Sequence, residues 1–351
     1  MTYLRWAEVD LSAVADNTRW VASGLEKGAR LCAVVKANAY GHGAVEVSRV
    51  VLESGASSLG VRDIAEAQVL RAAGIKAPIL LLAPILPEQA ADAARLGVEL
   101  TVDSLELGRA ISRAAGGRTV SVHLDLDYGL GRWGAAPSQA SALAAALAKL
   151  KGLKLAGVST HIGYVPGKNS VEAEEKLGAF ARLSAALKKK HRGLLAHAAN
   201  SAVFADFPHR RFDLAVIGNM LYGINRSKTR PAPLKMPWRS FARVLALREV
   251  RKGASLGYAS EYLAPRRLRV ATLPIGYADG LSMEPAERLI GLGAGTKYWG
   301  MHKGVKLPFL GRVGITHVLV DATDAPDLKV GDAVALPGRR TAAAGLPRVY
   351  R

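Results

Sequence analysis

The chain has 351 residues, half of them hydrophobic, and a formal net charge of +19. A chain of this length exceeds what one simple core holds and indicates two domains. Its single cysteine, Cys32, excludes an internal disulfide framework. The densest apolar stretch, residues 77–86, is broken by Pro78 and Pro84 and is shorter than the roughly 20 residues that a membrane span needs.

The excess of basic residues raises nucleic-acid binding as a candidate function. These residues are scattered, and the compact run at 188–192 ends an amphipathic pattern, where cations favour the helix dipole. No aromatic–basic motif accompanies the charge, so we expect a solvated surface and no nucleic-acid partner. The first ten residues carry Arg5, Glu8 and Asp10 and no apolar signal-peptide core. We therefore expect a soluble cytoplasmic protein without a membrane partner.

Between Leu31 and about Gly223, short apolar runs alternate with helical patterns. Several runs are nearly continuous in Val, Ile and Leu, as parallel strands buried on both faces should be. Eight runs are interpreted as strands: residues 31–36, 58–61, 78–83, 99–102, 120–127, 155–161, 194–198 and 214–217. Eight strands alternating with helices predict a TIM-like (β/α)₈ barrel over residues 9–230.

The pattern changes at Pro231–Pro237. Strand-like runs without long helices follow, at residues 241–250, 268–273 and 318–320. We therefore predict a mainly β domain over residues 231–351, and we expect residues 1–8 to pair with it.

Residues 33–43 read Ala-Val-Val-Lys-Ala-Asn-Ala-Tyr-Gly-His-Gly. Lys36 closes an apolar strand, at the edge of a barrel where active-site groups lie. A lysine in an apolar barrel mouth is costly unless it is paired or used chemically, and such a lysine has a lowered pKa and can form a Schiff base. From the residues alone, a strand-terminal lysine is more often a surface position than a nucleophile.

The stretch around Lys36 resembles the cofactor-lysine motif of the alanine racemase family. Trp6–Leu11 is similar to the start of that family, and Gly257-Tyr258 followed by Pro274–Gly280 resembles its β-domain signature. The matches occur in order over nearly the whole chain. The resemblance implies a barrel that holds pyridoxal 5'-phosphate, a following β domain, a head-to-tail homodimer and racemisation of an amino acid.

The resemblance also implies catalytic roles. Lys36 would hold the aldehyde of the cofactor and act as one base, and Tyr258 from the partner subunit would be the second. Arg132 would lie near the ring oxygen and the substrate carboxylate, as suits a guanidinium, and His161 would lie against the ring. Without the family, Arg132 reads as a loop arginine and His161 as a satisfied core histidine.

Phosphate and substrate contacts follow from the same resemblance. Ser201, preceded by Asn200, would bond the phosphate, although it is also a candidate helix N-cap. The other predicted residues are Gly218, Asn219 and Tyr40 for the cofactor, and Tyr277 and Ile315 for the substrate.

Four positions depart from the family pattern. Val216 replaces an arginine that faces the pyridine nitrogen, and Asp125 replaces a lysine that is often carbamylated. We expect Asp125 to pair with Arg132 in its place. Thr316 replaces an aspartate. Ala344 replaces a gate tyrosine, and the C-terminal segment is shorter than in many members of the family, which together predict a more open pocket that accepts larger amino acids.

Two other functions stay open at this point. A related enzyme of the same fold, a D-amino-acid dehydratase or aldolase, is disfavoured by Tyr258, because a second base is what racemisation requires. A non-catalytic protein that binds pyridoxal phosphate is favoured by Val216 and Thr316 but disfavoured by the β domain.

Overall fold

The structure is a computed structural model that describes residues 2–227, 230–257, 262–282 and 298–351. It divides into two compact units. The first consists of Leu11–Ala39 and Gly43–Met236, and the second of Met1–Asp10, Tyr40–His42 and Pro237–Arg351. The domain boundary between residues 230 and 231 stays a prediction. The chain starts with strand β1 (Arg5–Val9), which belongs to the second unit.

The first unit is a barrel of eight parallel strands. The strands are β2 (Arg30–Val34), β3 (Ser58–Val61), β4 (Ile79–Pro84), β5 (Glu99–Val102), β6 (Val120–Leu126), β7 (Leu153–Thr160), β8 (Leu195–His197) and β9 (Leu214–Ile217). Their order in the sheet is β8-β7-β6-β5-β4-β3-β2-β9. Backbone hydrogen bonds from the N–H of Asp213 to the oxygen of Ala196 (3.1 Å) and from the N–H of Val216 to the oxygen of Ala199 (2.9 Å) join the two edges of this sheet, at β8 and β9. The predicted (β/α)₈ barrel is confirmed.

Helices connect the strands and cover the barrel: α1 (Leu11–Ser23), α2 (Ala44–Glu53), α3 (Ile64–Ala72), α4 (Ala90–Leu96), α5 (Leu105–Ala114), α6 (Ala140–Ala148), α7 (Ser170–Lys190) and α8 (Ser201–Asp206). Local sequence explains several starts, since the side chains of Asp63, Ser104 and Asn200 accept backbone N–H groups at the beginnings of α3, α5 and α8. Each such cap stabilises a helix by about 1 kcal/mol. Among the described residues, every helix is too short or too polar to cross a lipid bilayer.

Two predicted strands are too long at the ends that carry functional residues. Strand β2 ends at Val34 and β7 at Thr160, so Lys36 and His161 lie just beyond their strands rather than in them. Val35 still bonds the neighbouring strand, with its N–H 2.8 Å from the oxygen of Gly60. The strand geometry is lost only where the backbone turns at the barrel mouth.

The second unit contains a nine-stranded sheet and a two-stranded hairpin. Its remaining strands are β10 (Trp238–Arg243), β11 (Ala246–Val250), β12 (Ser255–Leu256), β13 (Tyr262–Leu263), β14 (Leu268–Leu273), β15 (Trp299–His302), β16 (Val305–Leu310), β17 (Val318–Asp321), β18 (Ala333–Leu336) and β19 (Arg348–Tyr350). The sheet order is β11-β14-β17-β16-β15-β18-β10-β1-β19. The described part of this unit contains no α-helix, and the predicted mainly β domain is confirmed.

The predicted strand at residues 241–250 is wrong as a single element. The structure divides it into β10, which pairs with β1 and β18, and β11, which pairs with β14. Between these strands, the backbone N–H of Val244 donates to the carbonyl oxygen of Asp332, and that of Leu245 donates to the carbonyl oxygen of Thr272, each at 2.9 Å. The chain changes partners here, and a continuous apolar pattern does not reveal such a change. Strand β1 pairs antiparallel with β10 and parallel with β19.

Candidate active site

Lys36 lies at the carboxyl end of the barrel strands, directly before an unusual turn. Ala37, Asn38 and Ala39 all adopt left-handed backbone angles, with φ of 52–53°. This conformation costs roughly 1–2 kcal/mol for each residue that is not glycine, so its surroundings must hold it in place. The Asn38 side chain accepts the N–H of Ala44 at 2.7 Å. The turn therefore fixes the backbone from which the Lys36 side chain projects.

Three basic side chains act on one another at this end of the barrel. Burial lowers the pKa of Lys36, and the positive charge of Arg132 lowers it further. Burial, Arg132 and Lys36 lower the pKa of His161 to about 4. His161 directly follows strand β7, and its side chain is exposed. With a pKa of about 4 it is neutral at pH 7, and the charge of Arg132 makes the barrel mouth positive and suited to an anion.

Arg132 is held by the loop that follows β6. The Asp127 carboxylate accepts backbone N–H groups from Gly129 (2.9 Å), Leu130 (2.8 Å) and Gly131. These bonds shape the loop, and the exposed Arg132 guanidinium lies 4.6 Å from the ring centre of Trp133. The structure thus places Arg132 close enough to Lys36 and His161 for its charge to lower the pKa of both.

Asp125 does not fulfil the expectation of an ion pair with Arg132. Among the described residues its carboxylate has no salt bridge to that arginine. It is buried on β6 and accepts the hydroxyl of Ser159 on β7 at 2.5 Å. Burial raises the pKa of Asp125 to about 7, with a further contribution from the negative charge of Asp103. The buried neighbour, rather than the exposed arginine, is its direct partner.

Four of the predicted cofactor residues follow the ends of β8 and β9: Asn200, Ser201, Gly218 and Asn219. Asn200 caps α8, because its side-chain oxygen accepts the N–H groups of Ala202 (3.0 Å) and Val203 (3.1 Å). The alternative interpretation of Ser201 as the N-cap is therefore wrong. The Ser201 hydroxyl instead accepts the N–H of Met220 at 3.3 Å, which joins α8 to the turn Asn219–Tyr222.

This pair of segments has the chemistry of a phosphate site. Gly218 and Asn219 begin a 3₁₀ turn, and the hydroxyl of Ser201 lies beside it. Backbone N–H groups at the start of such turns and neighbouring hydroxyls are donors that phosphate oxygens accept. Together with the amine of Lys36 in the positive mouth, this donor set fits a ligand with a phosphate and an aldehyde.

Tyr222, which the sequence did not single out, ties the phosphate turn to the lysine strand. It is completely buried, and its hydroxyl donates to the carbonyl oxygen of Val34 at 2.8 Å. Val34 is the last residue of β2, two positions before Lys36. No local pattern distinguishes this tyrosine from an ordinary core aromatic, because its partner is 188 positions away.

The sequence alone also did not indicate a buried histidine pair, His123 and His197. His123 contacts His197 at 2.9 Å through Nδ1 and the Glu99 carboxylate at 3.0 Å through Nε2. Gly157 makes room for it, because a Cβ there would lie 2.2 Å from the His123 ring. The alternation of His123 and Asp125 within an apolar strand was the available signal, since residues two apart in a strand share a face. The barrel interior is therefore polar on the β5–β8 side.

In the second unit, the two predicted substrate residues lie side by side. Tyr277 donates its N–H to Gly314 at 3.1 Å, and Ala278 donates to Ile315 at 3.1 Å. The two backbones approach so closely that a Cβ on Gly276 would lie 2.2 Å from the oxygen of Ile315. The side chains of Tyr277 and Ile315 are exposed.

Tyr40 belongs to the second unit. The Arg340 guanidinium lies 5.9 Å from its ring centre, and burial raises the pKa of Tyr40. The next residue, Gly41, has φ of 88°, and a Cβ there would lie 2.1 Å from the oxygen of Arg340. Arg348 donates to the Gly41 carbonyl at 3.0 Å. The predicted second base, Tyr258, lies outside the described residues.

A parallel barrel with a lysine at its mouth, followed by a β domain, is the arrangement that the sequence motifs implied for a racemase. Comparisons with known proteins identify the family. Residues 9–226 match the family "Alanine racemase, N-terminal domain", and residues 238–348 match "Alanine racemase, C-terminal domain". The chain therefore belongs to the alanine racemase family and is an amino-acid racemase.

Relatives and solved structures agree with this assignment. The chain is 35% identical to alanine racemase of Desulfovibrio desulfuricans, over 95% of this chain and 89% of that protein. It is 36% identical to alanine racemase of Symbiobacterium thermophilum, over 95% of this chain and 88% of that protein. Alanine racemase of Clostridium difficile 630 superimposes with a TM-score of 0.90 at 27% identity, over 100% and 96% of the two chains. The biosynthetic alanine racemase of Pseudomonas aeruginosa superimposes with a TM-score of 0.85 at 30% identity, over 100% of both chains.

Proposed function

We propose that the protein interconverts L- and D-alanine with pyridoxal 5'-phosphate and two bases, Lys36 and Tyr258, the latter supplied by the partner in a head-to-tail homodimer. One observation carries the proposal. Lys36 has a lowered pKa in a positive barrel mouth and is fixed by a strained turn. Strain of this kind persists where the surrounding structure demands a particular geometry.

The chemistry of the cofactor complements these residues. When bound, pyridoxal phosphate supplies an aldehyde that reacts with amines and a ring that withdraws electrons from the α-carbon of the substrate. Lys36 would hold the aldehyde through Nζ, because burial and the charge of Arg132 favour its neutral, nucleophilic form. Once the amino group of the substrate has replaced Nζ at the aldehyde, the freed Lys36 amine would accept or return the α-proton on one face of the substrate.

Arg132 and His161 have different electrostatic roles, one as a cation and the other as a neutral hydrogen-bond donor. Arg132 is cationic and would bind the substrate carboxylate or the phenolic oxygen of the ring. His161, with a pKa of about 4, stays neutral and can donate a hydrogen bond without adding charge. Tyr258 would move the proton on the opposite face. An ordinary tyrosine pKa of about 10 means that its pKa must be lowered for it to act as a base near neutral pH.

The phosphate would be held by Ser201 and the N–H groups of Gly218 and Asn219, with Asn200 fixing the start of α8. Tyr40 stays a predicted further donor. Val216 has no group to offer to the ring nitrogen, so that nitrogen would remain unprotonated by desolvation alone.

The experiment that tests the proposal compares two variants by absorption spectroscopy and chiral chromatography. We expect Lys36→Ala to lose both the visible absorption of the bound cofactor and alanine racemisation. Tyr258→Phe should keep the absorption but block conversion of L-alanine, because only the second base is removed. A Lys36→Ala protein with the wild-type spectrum, or an unchanged rate in Tyr258→Phe, would contradict the assigned roles.

Substrate range, assembly and location complete the proposal. Ala344 provides less bulk than the tyrosine of the family pattern, so the pocket would accept amino acids larger than alanine. Turnover of alanine, serine, lysine and arginine measures this directly, and strict preference for alanine would contradict it.

The predicted homodimer is tested by light scattering, and the cytoplasmic location by cell fractionation.

A further inference from the structure

Glu66, in the first turn of α3, connects two distant backbone segments. One carboxylate oxygen accepts the N–H of Ala37 at 2.8 Å, and the other accepts the N–H of Arg62 at 2.8 Å. Ala37 follows Lys36 directly and is the first of the left-handed residues. We propose that Glu66 is a positioning residue for Lys36, whose carboxylate holds the peptide between Lys36 and Ala37 in the orientation that the left-handed turn requires. This inference rests on the proposed function of Lys36.

The geometry demands a carboxylate at this position. Both oxygens of Glu66 are used as acceptors at the same time, on residues at the ends of two neighbouring strands. A glutamine offers one acceptor oxygen and places an NH₂ donor against an N–H. Hydrogen bonds to an ionised acceptor are also stronger than those between neutral groups. The Glu66 side chain is 19% exposed, and its carboxylate also lies 3.8 Å from the Arg62 guanidinium.

Glu66 is itself well fixed. Asp63 accepts the N–H of Glu66 at 3.0 Å as the N-cap of α3, and the Arg62 side chain bonds the Asp63 carboxylate at 2.8 Å. The carboxylate therefore projects from the rigid first turn of a helix. It restrains the start of the left-handed turn, while Asn38 restrains its exit by accepting the N–H of Ala44.

The charge of Glu66 has a second effect on the lysine. The charged groups that act on Lys36 within the described residues are Arg132 and Arg62, which lower its pKa, and Glu66, which raises it. His161 is neutral at pH 7. Glu66 thus opposes the lowering of the lysine pKa while it orients the backbone, and its loss should alter both properties.

The test measures the reactivity of Lys36 in cofactor-free protein, without reference to turnover. Pyridoxal phosphate is added over a range of pH, the adduct is trapped with borohydride, and the rate at Lys36 is measured by peptide mass spectrometry. We expect Glu66→Gln to lower the plateau rate at high pH by about tenfold, as the loss of one charge-assisted hydrogen bond implies. The midpoint of the pH profile should move to lower pH, because a negative charge has been removed.

The matched control is Ser104→Ala, which removes the N-cap of another barrel helix, α5, where the Ser104 side chain accepts the N–H of Leu107. It should lower the melting temperature while its plateau and midpoint stay at wild-type values. A Glu66→Gln profile equal to wild type overturns the inference, and so does a Ser104→Ala profile that changes in the same way. Should Glu66→Ala fail to fold, Glu66→Gln carries the test, because it keeps the size of the side chain.

The outcomes also separate the inference from the proposed function. If wild-type protein is labelled at another lysine instead of Lys36, the proposed function fails. If Lys36 is labelled and the Glu66 variants match the wild type, only the inference fails.

Discussion

The barrel mouth and the turns of the second unit hold their candidate residues by different means. At the mouth, single side chains restrain the backbone: Glu66 holds Ala37, and Asn200 holds the start of α8. In the second unit, backbone packs directly on backbone, as where Gly276 meets Ile315. The identity of a polar side chain thus decides the geometry of the mouth, whereas the absence of a side chain decides that of the second unit. Three experiments test this difference.

The largest effect should follow from filling the space at Gly276. A Cβ there would lie 2.2 Å from the oxygen of Ile315, and backbone cannot move aside as a flexible side chain can. We expect Gly276→Ala to lower the free energy of unfolding by about 3 kcal/mol, measured by denaturant titration. Gly345→Ala is the control, because a Cβ there meets nothing within 4 Å. Equal losses in both variants would show that close backbone approach is not the cause.

The next effect concerns charge in the barrel and depends on pH. Burial raises the pKa of Asp125 to about 7, so the folded protein holds a proton that the unfolded chain releases near pH 4. The free energy of unfolding of the wild type therefore falls as the pH rises from about 4 to 7, because the buried Asp125 must lose its proton. Above pH 7 this loss is complete. Asp125→Asn removes that loss and should gain about 2–3 kcal/mol relative to wild type between about pH 5 and pH 8.

Thermal unfolding across this pH range provides the measurement. Asp92→Asn serves as the control, since Asp92 is exposed on α4. A pH-independent difference between Asp125→Asn and wild type would show that Asp125 does not titrate in this range.

The smallest effect should come from removing the cap of α8. Asn200→Ala should cost about 1 kcal/mol of stability and should also weaken binding of pyridoxal phosphate, because the backbone that carries Ser201 loses its restraint. Ser104→Ala removes an equivalent cap from α5 and should cost similar stability with unchanged binding. Equilibrium dialysis gives the affinities. Equal affinities in the two variants would show that Asn200 has only a local role.

Much of the architecture could be predicted because burial leaves a periodic trace in the sequence. The strand at 214–217 is found where predicted, since parallel strands covered on both faces are continuously apolar. The ends of strands were less predictable. Lys36 reads as the end of a strand because Val34 and Val35 are apolar, yet the backbone turns left-handed at Ala37. That turn depends on Glu66, 29 positions further on.

Motifs identified the reactive groups, and tertiary structure decided their partners. Lys36, Arg132 and His161 are recognisable from their local sequences, and the structure places them at one end of the barrel. Asp125 was expected to pair with Arg132, but strand register sets it opposite Ser159 instead. The contact between His123 and His197 spans 74 positions. The order of the side chains along the chain determined the fold and the chemistry available, because periodicity and residue type are local properties. Which groups touch, and hence which pKa values shift, was decided only by the pairing of the strands.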